Sequence, residues 1–395
     1  MHGQLRELLT NYGKVSILWF DGLGGKKEDW KSEELLPMLR NLQPGLLINN
    51  RAGLPADFDT PEQRIGRFQM DRPWESCITI GTQWAYKPDD EMKSLPQCIE
   101  TLVKCAGGDG NLLFNVGPMP DGRIEPRQVE RLHEMGQWLE MHGESIYGTR
   151  GGPILPGALL ASTRKNNTIY LHMLDAAWMN GNVVLPPMPV VAQRLAPSRP
   201  QAVSRGAAAP IKIVSARVLP SGTATLSPAE NGLLLSIPPE YFDPVDTVVA
   251  LELSGPAMDI PPFALPNTSL STGKPATASN VYRNEPQHTA DKAVDGDFGT
   301  RWATDAGAMS AWLEVDLGAP TAFNAALISE DYGRARRFEI QYLDAETWKT
   351  AYRGGKIGYR LKAKFPTVTA QKVRLNILEA EEGPTIWEFQ LSKLD

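Results

Sequence analysis

The chain has few cysteines and no long apolar run, and each absence excludes a class. Its three cysteines among 395 residues, Cys77, Cys98 and Cys105, are an odd set confined to one region and lack Cys-x-x-Cys spacing. That argues against a disulfide framework and against a zinc site, and leaves buried free thiols. No apolar stretch approaches the roughly 18 residues a membrane span needs. The opening Met-His-Gly-Gln lacks the charged and apolar regions of a signal peptide. A soluble chain without a membrane partner is expected. Basic runs are missing too, and a formal net charge of -6 leaves no electrostatic footprint for nucleic acid. Neutral or sugar-like partners stay open.

What is present is organised around Lys14-Val-Ser-Ile-Leu-Trp-Phe-Asp-Gly22. A continuous apolar run reads as a strand buried on both faces, as in parallel α/β sheets, and Gly22 permits a sharp exit that leaves Asp21 exposed at the strand's C-terminal end. In barrels of this class that end carries chemistry. The alternative is that Asp21 only caps the next loop. Helical periodicity precedes this strand at residues 4–12 and follows it at 33–42, with Leu35, Leu36 and Leu39 facing inward. A second strand at 46–50 leads to Arg51. The stretch 56–63 holds three carboxylates within six residues, a crowding that marks it as a loop, exposed or functional. A third strand at 75–81, a helix ending at Gly107-Gly108 and a fourth strand at 111–116 come next. Pro126 then opens a helix with Val129, Leu132, Met135 and Leu139 inward.

This alternation predicts parallel β/α units, and about 150 residues of them amount to part of a closed barrel, which takes roughly 250. Half a barrel upstream is the expectation. From Gly151 short β-prone runs separated by Pro and Gly predict a β-sandwich over 151–254, with a mobile loop at Leu195 to Pro210. A proline-rich stretch at 255–266 reads as a stiff linker. Apolar and polar residues then alternate through 267–395, predicting antiparallel strands. The fold class is therefore α/β plus all-β: a partial barrel over 1–150, a sandwich, a linker, and a second β-sandwich.

Trp-Phe-Asp-Gly at 19–22, Asn-Asn-Arg at 49–51, Asp-Phe-Asp-Thr-Pro-Glu-Gln at 57–63, Trp-Glu-Ser-Cys at 74–77 and Asn-Leu-Leu-Phe-Asn-Val-Gly-Pro at 111–118 stand in a familiar order. Together they resemble α-L-fucosidases of glycoside hydrolase family 29, over residues 1 to about 255. The resemblance implies a retaining exo-α-L-fucosidase acting on fucosylated oligosaccharides or glycoconjugates, with no cofactor for catalysis. It makes Asp21 the nucleophile. A retaining mechanism needs a second carboxyl group about 5–5.5 Å away, and two glutamates compete. Glu62 is preferred as acid/base because it follows the second strand on the catalytic face. Glu75 begins the third strand, which places it at the opposite face. The resemblance also implies that Trp19 and Arg51 line the fucose pocket, and Trp84 is a candidate contact for the leaving group. Core packing for Trp19 and Trp84, and a surface cation for Arg51, are the plain alternatives. The family's first barrel strands, which carry histidines and aromatics of its pocket, have no counterpart before Met1. Self-association, or completion by another chain, is expected. The family further implies secretion or a periplasmic location.

Lys292-Ala-Val-Asp-Gly-Asp-Phe-Gly-Thr-Arg-Trp-Ala-Thr304 with Trp312-Leu-Glu-Val-Asp-Leu317 resembles a discoidin-type (F5/8 type C) or family 32 carbohydrate-binding module. This implies a structural Ca²⁺ held by Lys292 and Asp297 through carbonyls and by Asp295, Thr300 and Glu388 through side chains. Hard oxygen ligands on a tight turn suit that ion, and a turn held by hydrogen bonds alone is the alternative. Tyr282, Arg283 and His288 are candidate sugar contacts, for galactose-type glycans. A non-catalytic glycan-binding protein acting through this module is the competing function.

Overall fold

The computed structural model describes residues 1–22, 25–188, 210–266 and 269–394. They form two compact units, Met1–Leu265 and Pro266–Asp395.

Unit 1 opens with α1 (His2–Asn11), β1 (Ile17–Leu18), α2 (Lys27–Trp30), α3 (Ser32–Leu42) and β2 (Leu47–Ile48). β3 (Glu75–Thr79), α4 (Leu95–Gly107), β4 (Asn111–Asn115) and α5 (Pro126–His142) follow. β1 pairs in parallel with β2, and β3 with β4. Isolated parallel bridges, Asn49 with Phe58, Asp59 with Trp74 and Glu62 with Cys77, join the two ladders through residues 58–62. The expected loop is thus an extended segment inside the sheet. Its three carboxylates are tolerated because each meets its own arginine: Asp57 with Arg40, Asp59 with Arg72 and Glu62 with Arg51.

Leu35, Leu39, Leu46 and Ile48 form a core under β1 and β2 with Leu9 and Phe20. The expectation of a strand buried on both faces is corrected. Ile17 and its register partner Leu47 share the other face and are 54% and 47% exposed. On α5 the inward stripe is also corrected, since Met135 and Trp138 are buried while Val129 and Leu132 are exposed. Trp74 anchors the start of β3: it is 2% exposed and donates from Nε1 to Gly108 O at 3.2 Å. A Cβ at Gly110 would lie 2.2 Å from its ring, so only glycine lets the β4 approach pass. All three cysteines are buried and free. Burial pushes Cys98 up to about 11 and Cys105 to about 12, keeping both thiols protonated.

The rest of unit 1 is antiparallel. β5 (Arg150–Gly151), β6 (Leu160–Lys165), β7 (Thr168–Met173), β8 (Asn182–Leu185), β9 (Ile213–Val218), β10 (Gly222–Thr223), β11 (Thr225–Ala229), β12 (Gly232–Ser236) and β13 (Thr247–Leu253) make two sheets. Their orders are β10-β9-β13-β7-β6-β5 and β11-β12-β8, and Ile169, Leu171, Val183, Leu235, Val249 and Leu251 belong to their core. The stretch expected as a mobile loop, 195–210, lies outside the described residues except for its last. The stretch expected as a stiff linker packs instead. Ala257 and Ile260 are buried, their carbonyls accept from buried Arg164 at 3.0 and 2.6 Å, and Phe263 bridges Ile154.

Unit 2 is a β-sandwich built from β14 (Ala276–Ala278), β15 (Trp302–Ala303), β16 (Ala311–Glu330), β17 (Ala335–Asp344), β18 (Thr347–Gly354), β19 (Leu361–Ala380) and β20 (Thr385–Ser392). The strand order is β15-β20-β16-β19-β17-β18, with β14 on β16. Leu313, Val315, Phe338, Ile340, Leu375 and Phe389 lie in its core, so every second residue of the long strands points inward, as the alternation requires.

Candidate active site

The site in unit 1 is assembled by register. Leu18 pairs with Ile48, Asn49 with Phe58 and Asp59 with Trp74. Counting along these parallel segments puts Asp21, Arg51, Thr60 and Glu75 at one level, with Glu62 two residues further on. Asp21 leaves β1 through Gly22, whose φ of 106° suits a residue without a Cβ, and its side chain is 77% exposed. The Arg51 guanidinium is fixed from three sides. Nε donates to Thr60 Oγ1 at 2.8 Å, Nη2 to Thr60 O at 3.3 Å, and the group stacks 4.4 Å over the Trp19 ring. Nη1 then lies 3.4 Å from Asp21 Oδ1 and 2.8 Å from Glu62 Oε2. One nitrogen shared by two carboxylates keeps those oxygens no more than about 6 Å apart, a bound that admits the roughly 5–5.5 Å separation of a double-displacement pair.

The expectation that Glu75 lies on the opposite face is overturned. Trp19 Nε1 donates to Glu75 Oε1 at 3.2 Å, so Glu75 reaches the same cluster. Strands in a barrel are staggered, and the first residue of a late strand can stand level with the end of an early one. Trp74 and Glu75 point to opposite faces of β3, so burying the tryptophan aims the glutamate at Trp19.

Trp84 is carried by the loop after β3 and is 38% exposed. Asn115 Nδ2 donates to its carbonyl at 3.0 Å, and a Cβ at Gly117 would meet the Tyr86 backbone at 2.7 Å. Asp90 secures the loop's other end through Thr82 N at 2.9 Å and the Thr82 hydroxyl. Burial alone would raise the Asp90 carboxyl, but Thr82, the Glu91 N–H and Lys87 outweigh it and hold it below the usual carboxylate range. Among the described residues no hydrogen bond, ion pair or ring contact joins Trp84 to Asp21. Asn115 and Asp90 escaped the sequence reading because their role is to hold backbone, which leaves no pattern.

In unit 2, Tyr282 and His288 stand edge to face at 5.6 Å and line a cavity of about 370 Å³ together with Arg301, Tyr332, Arg334 and Glu382. That volume is near the small end for a ligand site, about 300–1,000 Å³. Arg283 does not line it: its guanidinium lies 5.0 Å from the Tyr282 ring and its backbone N–H donates to Asp305 Oδ1 at 2.8 Å. The last four lining residues come from three segments far apart in sequence, around 301, 332–334 and 382, so only the fold brings them together.

The residues expected to hold calcium do converge. Thr300 Oγ1 lies 2.8 Å from Asp295 Oδ2, 3.0 Å from Asp297 O and 3.5 Å from Lys292 O, although one hydroxyl has a single proton to donate. Glu388 is 1% exposed, accepts from Gly296 N at 2.7 Å through Oε1, and buries Oε2 without a hydrogen-bond partner. Burial pushes its carboxyl up to about 8, against the pull of the Gly296 N–H. No three His, Cys, Asp or Glu side chains group as a metal site among the described residues. The cradle is a mixed one of two carboxylates, a hydroxyl and two carbonyls.

Comparison with known proteins agrees with both halves. The α-L-fucosidase family model matches residues 1–144, and the F5/8 type C domain model matches residues 275–389. Plasma α-L-fucosidase of Homo sapiens is 31% identical over 190 residues, covering 43% of this chain and 40% of that protein. The Rattus norvegicus plasma enzyme is 34% identical and covered over 41% of its length. The chain thus spans about two fifths of these curated relatives. Among solved structures, α-L-fucosidase isoenzyme 1 from Paenibacillus thiaminolyticus has a TM-score of 0.53 at 31% identity, over 64% of this chain and 61% of that one. A family 29 α-L-fucosidase from Bacteroides thetaiotaomicron, with a TM-score of 0.52 at 23% identity over 64% of this chain and 59% of that one, shares the fold. The chain is thus similar to α-L-fucosidases over its first 144 residues and to F5/8 type C domains over residues 275–389.

Proposed function

We propose that unit 1 carries the nucleophile end of an exo-acting, retaining α-L-fucosidase, whose substrates are fucosylated oligosaccharides or glycoconjugates. The observation that carries this reading is the Arg51 guanidinium shared by Asp21 and Glu62. In the first step Asp21 attacks the anomeric carbon while Glu62 gives its proton to the departing oxygen. In the second, Glu62 takes a proton from the water that releases fucose. Trp19 offers an indole face to the apolar side of the sugar, and Arg51, fixed by Thr60, presents N–H groups to hydroxyl oxygens. A specific observation favours a second assignment of the acid: Glu75, bonded to Trp19, stands level with Asp21.

The test uses a chimera whose barrel is closed with strands from a homologous fucosidase, assayed on nitrophenyl α-L-fucoside. Asp21→Gly should abolish turnover, and azide should restore it with β-fucosyl azide as product, because a small anion then attacks from the nucleophile's side. Undiminished turnover in the variant removes Asp21 from the mechanism.

Unit 2 is assigned the binding of a neutral, galactose-type sugar in the cavity beside Tyr282 and His288, an aromatic wall with convergent polar groups. Its oxygen cradle suits Ca²⁺. Asp295, Thr300 and Glu388 side chains with the Lys292 and Asp297 carbonyls would hold the ion, which would neutralise the buried Glu388 carboxylate and tie the turn to β20.

A further inference from the structure

The wall of the unit 2 cavity reaches into solvent at one of its own lining residues. Tyr332 stands there 68% exposed with φ at 66°, a left-handed conformation that a bulky side chain rarely adopts. Such backbone persists only where its surroundings impose it, and it clusters at ligand sites. The next residue, Gly333, brings the chain against the loop at 356–360. A Cβ at Gly333 would lie 2.9 Å from Lys356 Cε and 3.7 Å from Gly358 Cα. The two loops are also bonded, Glu330 N to Gly358 O at 2.9 Å and Gly358 N to Glu330 Oε2 at 3.1 Å. Tyr359, directly after Gly358 on this neighbouring loop, is 49% exposed.

Each of these rings carries a guanidinium. Arg334 lies 4.5 Å from the Tyr332 centroid and Arg360 lies 5.5 Å from that of Tyr359. One exposed tyrosine is ordinary. Two on adjoining loops, the first lining the cavity and each with a guanidinium beside its ring, offer apolar ring surface next to N–H donors. A pyranose has the complementary form, with an apolar C–H face and a perimeter of oxygen acceptors.

We propose that Tyr332 and Tyr359 are the second and third subsites for a glycan whose terminal sugar occupies the cavity, so that unit 2 selects oligosaccharides over single sugars. This inference rests on the sugar-binding reading of the cavity. The test is calorimetric titration of the full chain with D-galactose, galactobiose and galactotriose. Affinity should rise with length, about tenfold from one sugar to three, and Tyr359→Ala should abolish the gain between disaccharide and trisaccharide. Equal affinities for the three probes, or a gain that survives Tyr359→Ala in a variant with an unchanged melting temperature, would sink the proposal. If none of the probes binds, the reading of the cavity falls and the subsites fall with it.

Discussion

Glu62 and Glu75 stand two residues apart in register on neighbouring extended segments, yet they meet different partners, a guanidinium and an indole N–H. That difference gives each a distinct signature. An acid/base residue matters most when the leaving group is poor, because only then is protonation needed at departure; proton transfer of this kind contributes typically about 10²- to 10⁴-fold. Glu62→Ala in the closed-barrel chimera should therefore slow natural fucosides by that order and activated aryl fucosides far less. Glu75→Ala should instead release Trp19, raising KM for both substrate types together. Leaving-group selectivity in the Glu75 variant, with none in the Glu62 variant, reverses the roles. The sequence contained both candidates, but it ranked them by a face that the fold does not keep, because strand stagger is set by pairing partners distant in the chain.

At the level of elements, periodicity made the helices legible: α1, α3, α4 and α5 form where the apolar spacing predicts them. Segments whose polar or proline content is offset by a distant partner were not. Residues 57–62 looked like a loop until Arg40, Arg51 and Arg72 accounted for their carboxylates. Residues 257–263 looked like a linker until Arg164 took up their carbonyls. The Asp295 turn belongs here as well. A ligand that binds only the folded state stabilises it by about 2.7 kcal/mol at a hundredfold excess over Kd, several degrees for a domain of this size. Scanning calorimetry of the full chain should show a transition that rises with Ca²⁺ and falls with chelator, with Mg²⁺ a poor substitute because its small shell demands stricter geometry. Glu388→Gln should remove the shift. Identical traces with calcium and chelator would leave the turn to its hydrogen bonds alone.

For the whole molecule the governing feature is the open parallel arc. Among the described residues β1 pairs only with β2 and β4 only with β3, so each end of the arc presents an unpaired strand edge. Ile17, Leu47 and Leu113 add exposed apolar surface beside those edges, at 54%, 47% and 42%. Parallel sheets are stable when both faces and both edges are covered, and exposed edges with apolar side chains recruit other chains. The isolated 395-residue chain should therefore self-associate or dissolve poorly while its antiparallel sheets remain folded. Turnover should suffer for a separate reason. The sugar must be held on several sides for its anomeric carbon to meet Asp21, and a small misplacement costs on the order of a hundredfold. Size-exclusion chromatography and a nitrophenyl fucoside assay on the chain alone measure both effects. A monodisperse monomer with ordinary turnover would show that an open arc suffices to hold both the fold and the sugar.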